Sequence, residues 1–376
     1  MKIVVASDSF KGSMTSLEVA QAATLGIHEV YSDCEVVAVN VADGGEGTVE
    51  AIVDALGGEI IMARVSDPLG REIAARYGIA GDTAIIEMAA ASGLPLLKTE
   101  ERNPWVTSTR GTGEMIMDAI TRGCRRFLVG IGGSATNDAG IGMLQAMGFR
   151  FYDANGLLIT DCCGGRMADV AMIDDTLVPE TVKISTFTVA CDVDTPFCGP
   201  EGAAPVFAPQ KGADTEMVAR LDAGMASLAN VIADKYGVDV VPIAGAGAAG
   251  GMGGAFYSFL HATLKPGIEM VLDAIDFDTI IKDADLVITG EGKVDFQTAK
   301  GKTAAGVLAR AKRLQIPVIA IGGCVEFCDS VLQMGFAGIY PILEERVPLE
   351  IAMQRDFAMS NVMKTVARVL SRSSMG

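Results

Sequence analysis

The sequence predicts an α/β fold, in which a Rossmann-like domain with a parallel sheet is interrupted by a second, mixed α/β domain. Short continuous apolar runs alternate with polar loops and helical segments near both ends of the chain, as in βαβ units. The middle of the chain carries hairpin signals instead. The length of 376 residues also favours two domains, because one domain usually has about 100–200 residues.

The N-terminal part of the chain alternates strand, loop and helix. The predicted strands of its sheet are Lys2–Ser7, Cys34–Val41 and Glu59–Ser66. Thr15 and Glu18 form a capping-box pattern, which predicts a helix after the first strand. A second helix is predicted over residues 48–56, because Gly57 follows it as a C-terminal cap. Residues 1–66 therefore begin the Rossmann-like domain.

Two hairpins are predicted in the middle of the chain. The paired segments are Glu72–Ile79 with Thr83–Met88, and Phe149–Asp153 with Leu157–Ile159, each pair flanking a glycine-containing turn. From Ala284 the parallel α/β pattern returns. The predicted Rossmann-like domain is therefore discontinuous, residues 1–66 and 265–376, and residues 67–264 form the inserted mixed domain. The active site is expected in the cleft between the two domains.

Composition and charge exclude several classes of function. The formal net charge is −17, so neither nucleic acid nor a membrane surface is an expected partner. The chain reaches Asp8 before a signal-peptide core can form. The 8 cysteines are irregularly spaced, which is typical of reduced thiols in the cytoplasm. The two histidines, His28 and His261, lie far from any Ser or Cys motif, so a triad hydrolase is not expected.

Polar, glycine-rich loops follow several predicted strands, where open parallel sheets bind their ligands. These loops are DSFKGS (8–13), DGGEGT (43–48), STRGTGE (108–114), GIGGSATND (130–138), CDVD (191–194), the glycine run at 245–254 and TGEGKVD (289–295). Glycine lets the backbone approach a ligand closely, and amides at helix starts bind anions. Together the loops predict a polyanionic ligand.

Carboxylates recur in these loops and need a separate explanation. They are Asp8, Asp43, Glu46, Asp138, Asp192, Glu291 and Asp295. They would repel a phosphate unless a cation lay between, and Mg²⁺ is held by one or two carboxylates together with phosphate oxygens. Basic side chains near the loops would offset further negative charge: Lys11, Arg71, Arg110, Lys211 and Lys293. The residues therefore favour a polyphosphate ligand bound with Mg²⁺.

Two standard nucleotide motifs are incomplete or isolated. Gly301-Lys302-Thr303 resembles the end of a P-loop, but Phe296 occupies the position of the first glycine, so there is no Walker A sequence. The three residues fit either an anion-binding helix start or a plain cap. Residues 245–250 match G-x-G-x-x-G, and this match alone supports a dinucleotide-dependent hydroxy-acid dehydrogenase. A catalytically silent sensor of a small acid is a further alternative.

At these loops the chain resembles the bacterial glycerate kinases of the two-domain type, which produce 2-phosphoglycerate. The matching stretches are DSFKGS (8–13), VADGGEGT (41–48), DPLGR (67–71), EMAAASGL (87–94), STRGTGE (108–114), GIGGSATNDAG (130–140), ACDV (190–193), FAPQKGA (207–213), GAGAAGGMG (245–253) and TGEGKVD (289–295). They run through nearly the whole chain in order. The resemblance implies ATP, Mg²⁺ and D-glycerate, a cytoplasmic setting and phosphorylation of the 2-hydroxyl. A homo-oligomer is compatible with it.

Phosphoryl transfer to an alcohol needs a proton acceptor, a metal on the phosphates, cations on the moving group and a grip on the substrate. We expect Asp192 to be the base, because it ends a buried apolar strand in the middle of the chain, although other carboxylates remain open. Asp8, Lys11 and Lys293 complete the expected catalytic set. The expected metal ligands are Glu291, Asp295 and Asp43, the expected substrate ligands are Arg71, Arg110, Ser134 and Asn137, and the expected nucleotide-binding residues are Gly132, Gly133, Gly247, Gly250 and Gly251.

Overall fold

The computed structural model describes residues 1–343, 345 and 347–373. The chain forms two compact units. Unit 1 comprises residues 1–43, 54–56 and 268–376, and unit 2 comprises residues 44–53 and 57–267. The predicted domain boundaries at 66 and 265 stay a prediction, because compactness alone does not establish which segments fold independently.

Strands and helices alternate through most of both units. The strands are β1 (Lys2–Ser7), β2 (Glu35–Asn40), β3 (Glu59–Ser66), β4 (Glu72–Ala80), β5 (Thr83–Glu87), β6 (Arg126–Gly130), β7 (Arg150–Tyr152), β8 (Met172–Asp174), β9 (Thr186–Ala190), β10 (Thr263–Lys265), β11 (Leu286–Val294), β12 (Val318–Val325) and β13 (Gly338–Pro341). The α-helices are α1 (Ser16–Val30), α2 (Thr48–Leu56), α3 (Ala89–Ser92), α4 (Arg110–Thr121), α5 (Ile141–Ala146), α6 (Glu180–Lys183), α7 (Ala203–Phe207), α8 (Thr215–Tyr236), α9 (Ala248–Leu260), α10 (Gly267–Ala274), α11 (Phe277–Ile281), α12 (Thr303–Arg313), α13 (Asp329–Leu332), α14 (Leu349–Ala352) and α15 (Arg355–Ser373).

Unit 1 is built on a five-stranded sheet in the order β13-β12-β11-β1-β2, and every neighbouring pair is parallel. Alternate residues of β1 enter opposite cores, because successive side chains of a strand point to opposite faces. Ile3 shares one core with Val19 of α1 and Val362 of α15. Val4 shares the other core with Val307 of α12. Helices on both faces explain why β1 is a continuous apolar run, and they confirm the predicted parallel α/β unit.

Helix α1 begins where the sequence predicts. The Thr15 hydroxyl accepts from the Glu18 amide at 3.2 Å, and the Glu18 carboxylate accepts from the Thr15 amide at 2.8 Å. The two bonds satisfy amides that the first turn of a helix leaves unpaired. Farther along, Gly26 lets α1 approach α15 closely, since a Cβ there would lie 2.3 Å from the Met363 carbonyl oxygen. Sequence therefore sets both the start of this helix and its packing distance.

Unit 2 contains a six-stranded sheet in the order β10-β9-β6-β5-β4-β3. Pairing is parallel from β10 to β5 and antiparallel from β5 through β4 to β3, so the predicted mixed sheet and the predicted β4–β5 hairpin are confirmed. Phe127 of β6 stacks on Phe187 of β9, with ring centroids 4.8 Å apart. Tyr77 of β4 is buried and donates its hydroxyl to Asp118 of α4 at 2.6 Å, so it fills the core without an unpaired polar atom.

One strand pairing predicted from the sequence is wrong, and one predicted hairpin has an additional partner strand. Strand β3 pairs antiparallel with β4 in the sheet of unit 2 and does not join the strands of unit 1. Ile60 and Met62 on this strand are 44% and 59% exposed, so β3 is an edge strand with one buried face. The predicted hairpin after β7 is present, because the Asp153 amide donates to the Leu157 carbonyl at 2.9 Å and the Ile159 amide donates to the Phe151 carbonyl at 2.8 Å. Strand β7 also pairs with β8, which the sequence did not predict. Apolar composition identified each strand, but the pairing depends on tertiary contacts.

Two further expectations concern membranes and thiols. Among the helices of the described residues, none has both the length and the apolar character needed to cross a membrane. All 8 cysteines are free thiols. The absence of a disulfide framework agrees with the irregular cysteine spacing.

Candidate functional site

Four of the predicted carboxylates lie at one edge of the sheet in unit 1. Asp8 follows β1, Asp43 follows β2, Glu291 lies near the end of β11, and Asp295 directly follows it. These three strands are neighbours and parallel, so their carboxyl ends open on the same edge. Lys11 is exposed in the turn after β1. We call this set of carboxylates, residues 8, 43, 291 and 295, the carboxylate edge.

Asp8 is a partly buried carboxylate with both oxygens engaged. Its Oδ1 accepts from the Ser9 amide at 2.7 Å, and its Oδ2 accepts from the Thr303 hydroxyl at 2.6 Å. Burial raises the pKa of Asp8, the Thr303 bond opposes this, and the negative charge of Asp43 raises the pKa further. Two carboxylates that repel each other in this way favour a cation beside them.

Glu291 is a buried carboxylate at this edge, and its pKa lies near neutrality. It is 6% exposed, and its Oε1 accepts from the Thr298 hydroxyl at 2.6 Å. Burial raises its pKa to about 7, against the lowering effects of the Thr298 bond and the Lys302 charge. Repulsion from Asp8 and Asp295 adds to the increase. A carboxyl group balanced in this way loses its proton readily when a cation approaches.

Lys293 bridges two carboxylates. Its Nζ lies 3.0 Å from Asp295 Oδ2 and 2.9 Å from Glu326 Oε2. Burial alone would raise the pKa of Asp295, but hydrogen bonds from Lys293 and from the Gln297 amide outweigh it and lower the pKa. The two ion pairs hold the ammonium group at the carboxylate edge, with about half of the Lys293 side chain exposed.

The carboxylate edge fits Mg²⁺ that arrives with a ligand better than a resident metal ion. Within the described ranges 1–343, 345 and 347–373, no three His, Cys, Asp or Glu side chains are grouped closely enough to hold a metal. Mg²⁺ does not need such a cage, because one or two carboxylates suffice when water and phosphate oxygens supply its other ligands. The repelling pair of Asp8 and Asp43, with Glu291 near neutrality, offers carboxylates of this kind.

The Gly301-Lys302-Thr303 segment opens α12 beside these carboxylates. Thr303 is the first helical residue, is buried and donates its hydroxyl to Asp8. The charge of Lys302 lowers the pKa of both Glu291 and Asp295. The predicted site omitted Thr298, Lys302 and Thr303. The resemblance of this segment to a P-loop end was the one signal that could have found the last two.

The strand ends of unit 2 carry the predicted base. Asp192 lies two residues beyond β9, is exposed, and accepts from the Gly267 amide at 2.9 Å. The glycine-rich loop of residues 44–47 packs on this edge of the sheet. A Cβ at Gly130 would lie 2.2 Å from the Gly44 carbonyl oxygen, and a Cβ at Gly44 would lie 2.6 Å from the Ala190 Cβ. The loop can cross the strand ends only because these positions are glycine.

Glu87 is a functional candidate that the predicted site did not include. It ends β5, and its Oε1 accepts from the Val49 amide in the first turn of α2 at 3.1 Å. Burial raises its pKa, and the bonds to the helix start oppose this. Glu87 therefore anchors the helix that follows the 44–47 loop. Its place at the start of the EMAAASGL stretch was the available signal.

The loop after β6 passes from exposed to buried within a few residues. Gly132 and Gly133 are exposed, and a side chain at Gly132 would meet open space. All residues from 134 to 138 are buried. The Ser134 hydroxyl accepts from the Thr136 amide at 3.1 Å, which closes a tight turn. The predicted binding residues of this loop thus divide into an exposed pair of glycines and a buried polar turn.

Two buried side chains in this turn differ in their hydrogen bonding. Asp138 accepts four bonds, from the amide and hydroxyl of Thr109 and from the amides of Gly140 and Gly142. Burial raises its pKa, and these bonds oppose the increase. Asn137 donates to the Met225 sulfur at 3.3 Å, while its Oδ1 is buried without a hydrogen-bond partner. Asp138 therefore holds the loop to the start of α4.

Arg71 and Arg110 are both ion-paired within unit 2. Arg71 lies 2.5 Å from Asp67 and 2.8 Å from Glu101. Arg110 donates from Nε to Glu114 at 2.8 Å. About half of each arginine side chain is exposed. A substrate carboxylate would compete with these protein carboxylates, and the two predicted roles stay predictions.

Three of the predicted nucleotide-binding glycines are buried against protein backbone. A Cβ at Gly247 would lie 2.1 Å from the Pro196 carbonyl oxygen, and one at Gly250 would lie 2.2 Å from the Thr136 carbonyl oxygen. Gly251 is buried with a φ of +94°. Close packing explains these glycines, and their role toward a nucleotide stays a prediction. Between β9 and β10 the described chain has no strand, so the G-x-G-x-x-G match lacks the strand–turn–helix context of a dinucleotide site.

Similarities to known proteins agree with one another. A family model described as "Glycerate kinase family" matches residues 3–373. The chain is 46% identical over 357 residues to a glycerate kinase of Bacillus subtilis (strain 168), covering 94% of this chain and 93% of that protein. It is 44% identical over 379 residues to a glycerate 2-kinase of Escherichia coli (strain K12), covering 100% and 99%. A crystal structure from Salmonella typhimurium LT2, described as a candidate glycerate kinase 2, matches with a TM-score of 0.91 and 43% identity over 100% and 99% of the two chains. The dehydrogenase and sensor alternatives find no support among these matches.

Proposed function

The chain belongs to the glycerate kinase family, and on that premise we propose that it transfers the γ-phosphoryl group of ATP to the 2-hydroxyl of D-glycerate, giving 2-phosphoglycerate and ADP. Such a transfer is in-line and has a loose transition state, so the protein mainly positions reactants and offsets charge. The observation that carries the proposal is the carboxylate edge, where three neighbouring parallel strands end in acidic side chains beside the start of α12.

We infer that Mg²⁺ accompanies the nucleotide. One or two carboxylates among Glu291, Asp295 and Asp43 would hold it, since no three of these side chains are grouped closely enough to bind it together. When bound there, Mg²⁺ would neutralise negative charge on the phosphates. The chain itself orients the carboxylates, because the hydroxyls of residues 298 and 303 donate to Glu291 and Asp8 at 2.6 Å each. Lys11, Lys293 and Asp8 all belong to unit 1 and would adjust the charge around the transferred group.

Asp192 is the proposed base. It is exposed at a strand end, where a substrate hydroxyl can reach it, and the Gly267 amide orients its carboxylate. It would accept the proton of the 2-hydroxyl while that oxygen bonds to phosphorus and the bond from phosphorus to ADP breaks. Asp138 is a poor alternative, because it is fully buried and accepts four hydrogen bonds from the protein.

The substrate and nucleotide contacts are proposed from residue chemistry. Arg71 and Arg110 can grip a carboxylate with two parallel hydrogen bonds, and Ser134 and Asn137 offer polar groups. The exposed backbone at residues 132 and 133 can approach an anion, with Gly250 and Gly251 packed behind the same loop and Gly247 packed against Pro196. A homo-oligomeric state and a cytoplasmic setting stay predictions.

ADP release tests the proposed function. The assay contains the full chain, ATP, Mg²⁺ and D-glycerate, with L-glycerate as the matched control substrate. We expect ADP to form only when both D-glycerate and the divalent ion are present. Absence of D-glycerate-dependent ADP formation contradicts the proposal. Glycerate-dependent reduction of NAD⁺ would favour the dehydrogenase instead.

A further inference from the structure

A buried lysine in unit 2 takes part in no step of the proposed reaction. Lys211 ends a 3₁₀ turn and is 2% exposed. Its Nζ donates to the Thr136 carbonyl oxygen at 2.6 Å and to the Ser134 hydroxyl at 3.3 Å. Both acceptors lie on the loop after β6, directly after the exposed Gly132 and Gly133. Lys211 is therefore attached to the buried side of a loop whose other end meets solvent.

The two acceptors of Lys211 suit a neutral amine as well as an ammonium ion. An ammonium ion has three N–H donors, whereas a neutral amine has two N–H donors and a lone pair. Both acceptors of Lys211 are uncharged oxygens, so neither bond offsets a positive charge as an ion pair would. Burial lowers the pKa of Lys211 to about 7. The side chain is therefore balanced between its charged and neutral forms near neutral pH.

The charged group that acts on the pKa of Lys211 is Asp138. The negative charge of Asp138 raises the pKa of Lys211, but burial has the larger effect. The oxygens of Asp138 already accept four hydrogen bonds from the protein. On the other side, Gly212 packs against the backbone and Cβ of Arg102. A new negative charge close to the loop would raise the pKa of Lys211, as the charge of Asp138 does.

We propose that Lys211 takes up a proton when an anionic group of a substrate binds the loop at Gly132 and Gly133. The proton moves from solvent to the lone pair of the Lys211 Nζ, and no other covalent bond forms or breaks. Both hydrogen bonds to the loop persist, because the ammonium ion keeps the two N–H donors of the amine. The positive charge beside the loop thus increases when an anion is present. The inference rests on the proposed function, which supplies two anionic groups: the carboxylate of glycerate and the phosphates of the nucleotide.

Titration calorimetry of the full chain tests this coupling. D-glycerate is the ligand in one arm and ADP in the other, both without divalent ion and at about pH 8, where a lysine with a pKa near 7 is mostly neutral. Each titration is repeated in a second buffer of different ionisation enthalpy, because the difference in heat counts the protons taken up. Glu291 of unit 1 also titrates near neutral pH and could contribute to the proton uptake. The measured quantity is therefore the proton uptake of wild type minus that of Lys211→Met.

When the ligand that binds this loop is titrated, we expect wild type to take up more protons than Lys211→Met does, by roughly half a proton or more. Lys211→Arg keeps a permanent charge, so it should bind the ligand without the extra uptake. Lys235→Met is the matched control, because Lys235 is a half-exposed lysine of the same unit that pairs with Asp175. Its proton uptake should equal that of wild type. If the Lys211 variants fail to fold by circular dichroism, the wild-type affinity must still fall by up to about tenfold per pH unit above neutrality.

Three outcomes separate this inference from the proposed function. Equal proton uptake by wild type and Lys211→Met in both arms overturns the inference. Failure of both ligands to bind overturns it as well. The expected uptake, combined with no ADP formation from D-glycerate and ATP, would overturn the proposed function and leave the inference standing.

Discussion

Unit 1 buries Glu291 near the end of β11, and unit 2 buries Lys211 against the loop after β6, so the two units bury side chains of opposite charge. Burial raises the pKa of Glu291 in unit 1 and lowers that of Lys211 in unit 2, in both cases to about 7. Glu291 lies among other carboxylates, whereas Lys211 donates to uncharged oxygens. A cation bound near Glu291 would favour its charged form, and an anion bound near Lys211 would favour the charged form of that side chain. In both cases desolvation is the main cause of the pKa shift.

Replacing the proposed base should have the largest effect. We expect Asp192→Asn to lower kcat by about 10²–10⁴-fold, because proton acceptance by a positioned carboxylate contributes that much. Steady-state kinetics with D-glycerate and Mg·ATP measure it. Asp194→Asn is the matched control, since Asp194 is exposed on the same segment, and it should keep near-normal turnover.

The comparison would change if the base belonged to unit 1. Near-normal turnover of Asp192→Asn, together with a large loss for Asp8→Asn, would move the proton acceptor to the carboxylate edge. Unit 2 would then contribute only binding.

The lowered pKa of Lys211 should make the free energy of unfolding depend on pH. The pKa of Lys211 is about 7 in the folded chain and near the ordinary value of 10.5 in the unfolded chain. Between pH 7 and pH 10.5 the unfolded state therefore binds more protons than the folded state. The free energy of unfolding should therefore rise with pH in this window, by at most ~1.4 kcal/mol per pH unit. Urea unfolding of wild type and Lys211→Met at several pH values measures the difference in slope, and Lys235→Met should match wild type. Equal slopes for wild type and Lys211→Met would contradict the buried position of this amine.

A smaller effect is expected from the residue that orients Glu291. Thr298→Val removes the hydroxyl that donates to Glu291. The Mg²⁺ concentration for half-maximal activity should rise about tenfold, as for other residues that orient metal ligands, with kcat at saturating Mg²⁺ nearly unchanged. Thr279→Val, at an exposed position of the same unit, should change neither quantity. An unchanged Mg²⁺ requirement for Thr298→Val would argue against metal binding at the carboxylate edge.

The smallest effect is expected at the solvent side of unit 1. Glu326→Gln breaks an ion pair with Lys293 in which both side chains are more than half exposed. Exposed ion pairs contribute little, so turnover should stay within about twofold of wild type. A loss beyond tenfold, measured in the same kinetic assay, would mean that Glu326 acts on a ligand directly.

Local features of the fold could be predicted from the sequence, whereas long-range pairings could not. The capping box of Thr15 and Glu18 involves residues three apart, and the structure contains it as predicted. The partner of β3 was predicted wrongly, because an apolar run does not specify which strand lies beside it. Pairing of this kind depends on the whole sheet.

The candidate site shows the same division. The acidic residues at strand ends could be identified because parallel strands open on one edge. The contact between Asp8 and Thr303 joins residues 295 positions apart, and no local pattern indicates it. Lys211 is among the basic side chains that the sequence predicts would offset negative charge near the loops. Its burial and its two hydrogen bonds to the loop after β6 could be seen only in the structure.

The most direct test of the account is the product formed from D-glycerate and Mg·ATP, observed by ³¹P and ¹H NMR. We predict a new phosphomonoester whose phosphorus couples to the single proton on carbon 2, together with ADP. A phosphorus signal coupled to the two protons on carbon 3 would contradict the proposed position of transfer. No new phosphomonoester would contradict the proposed function itself.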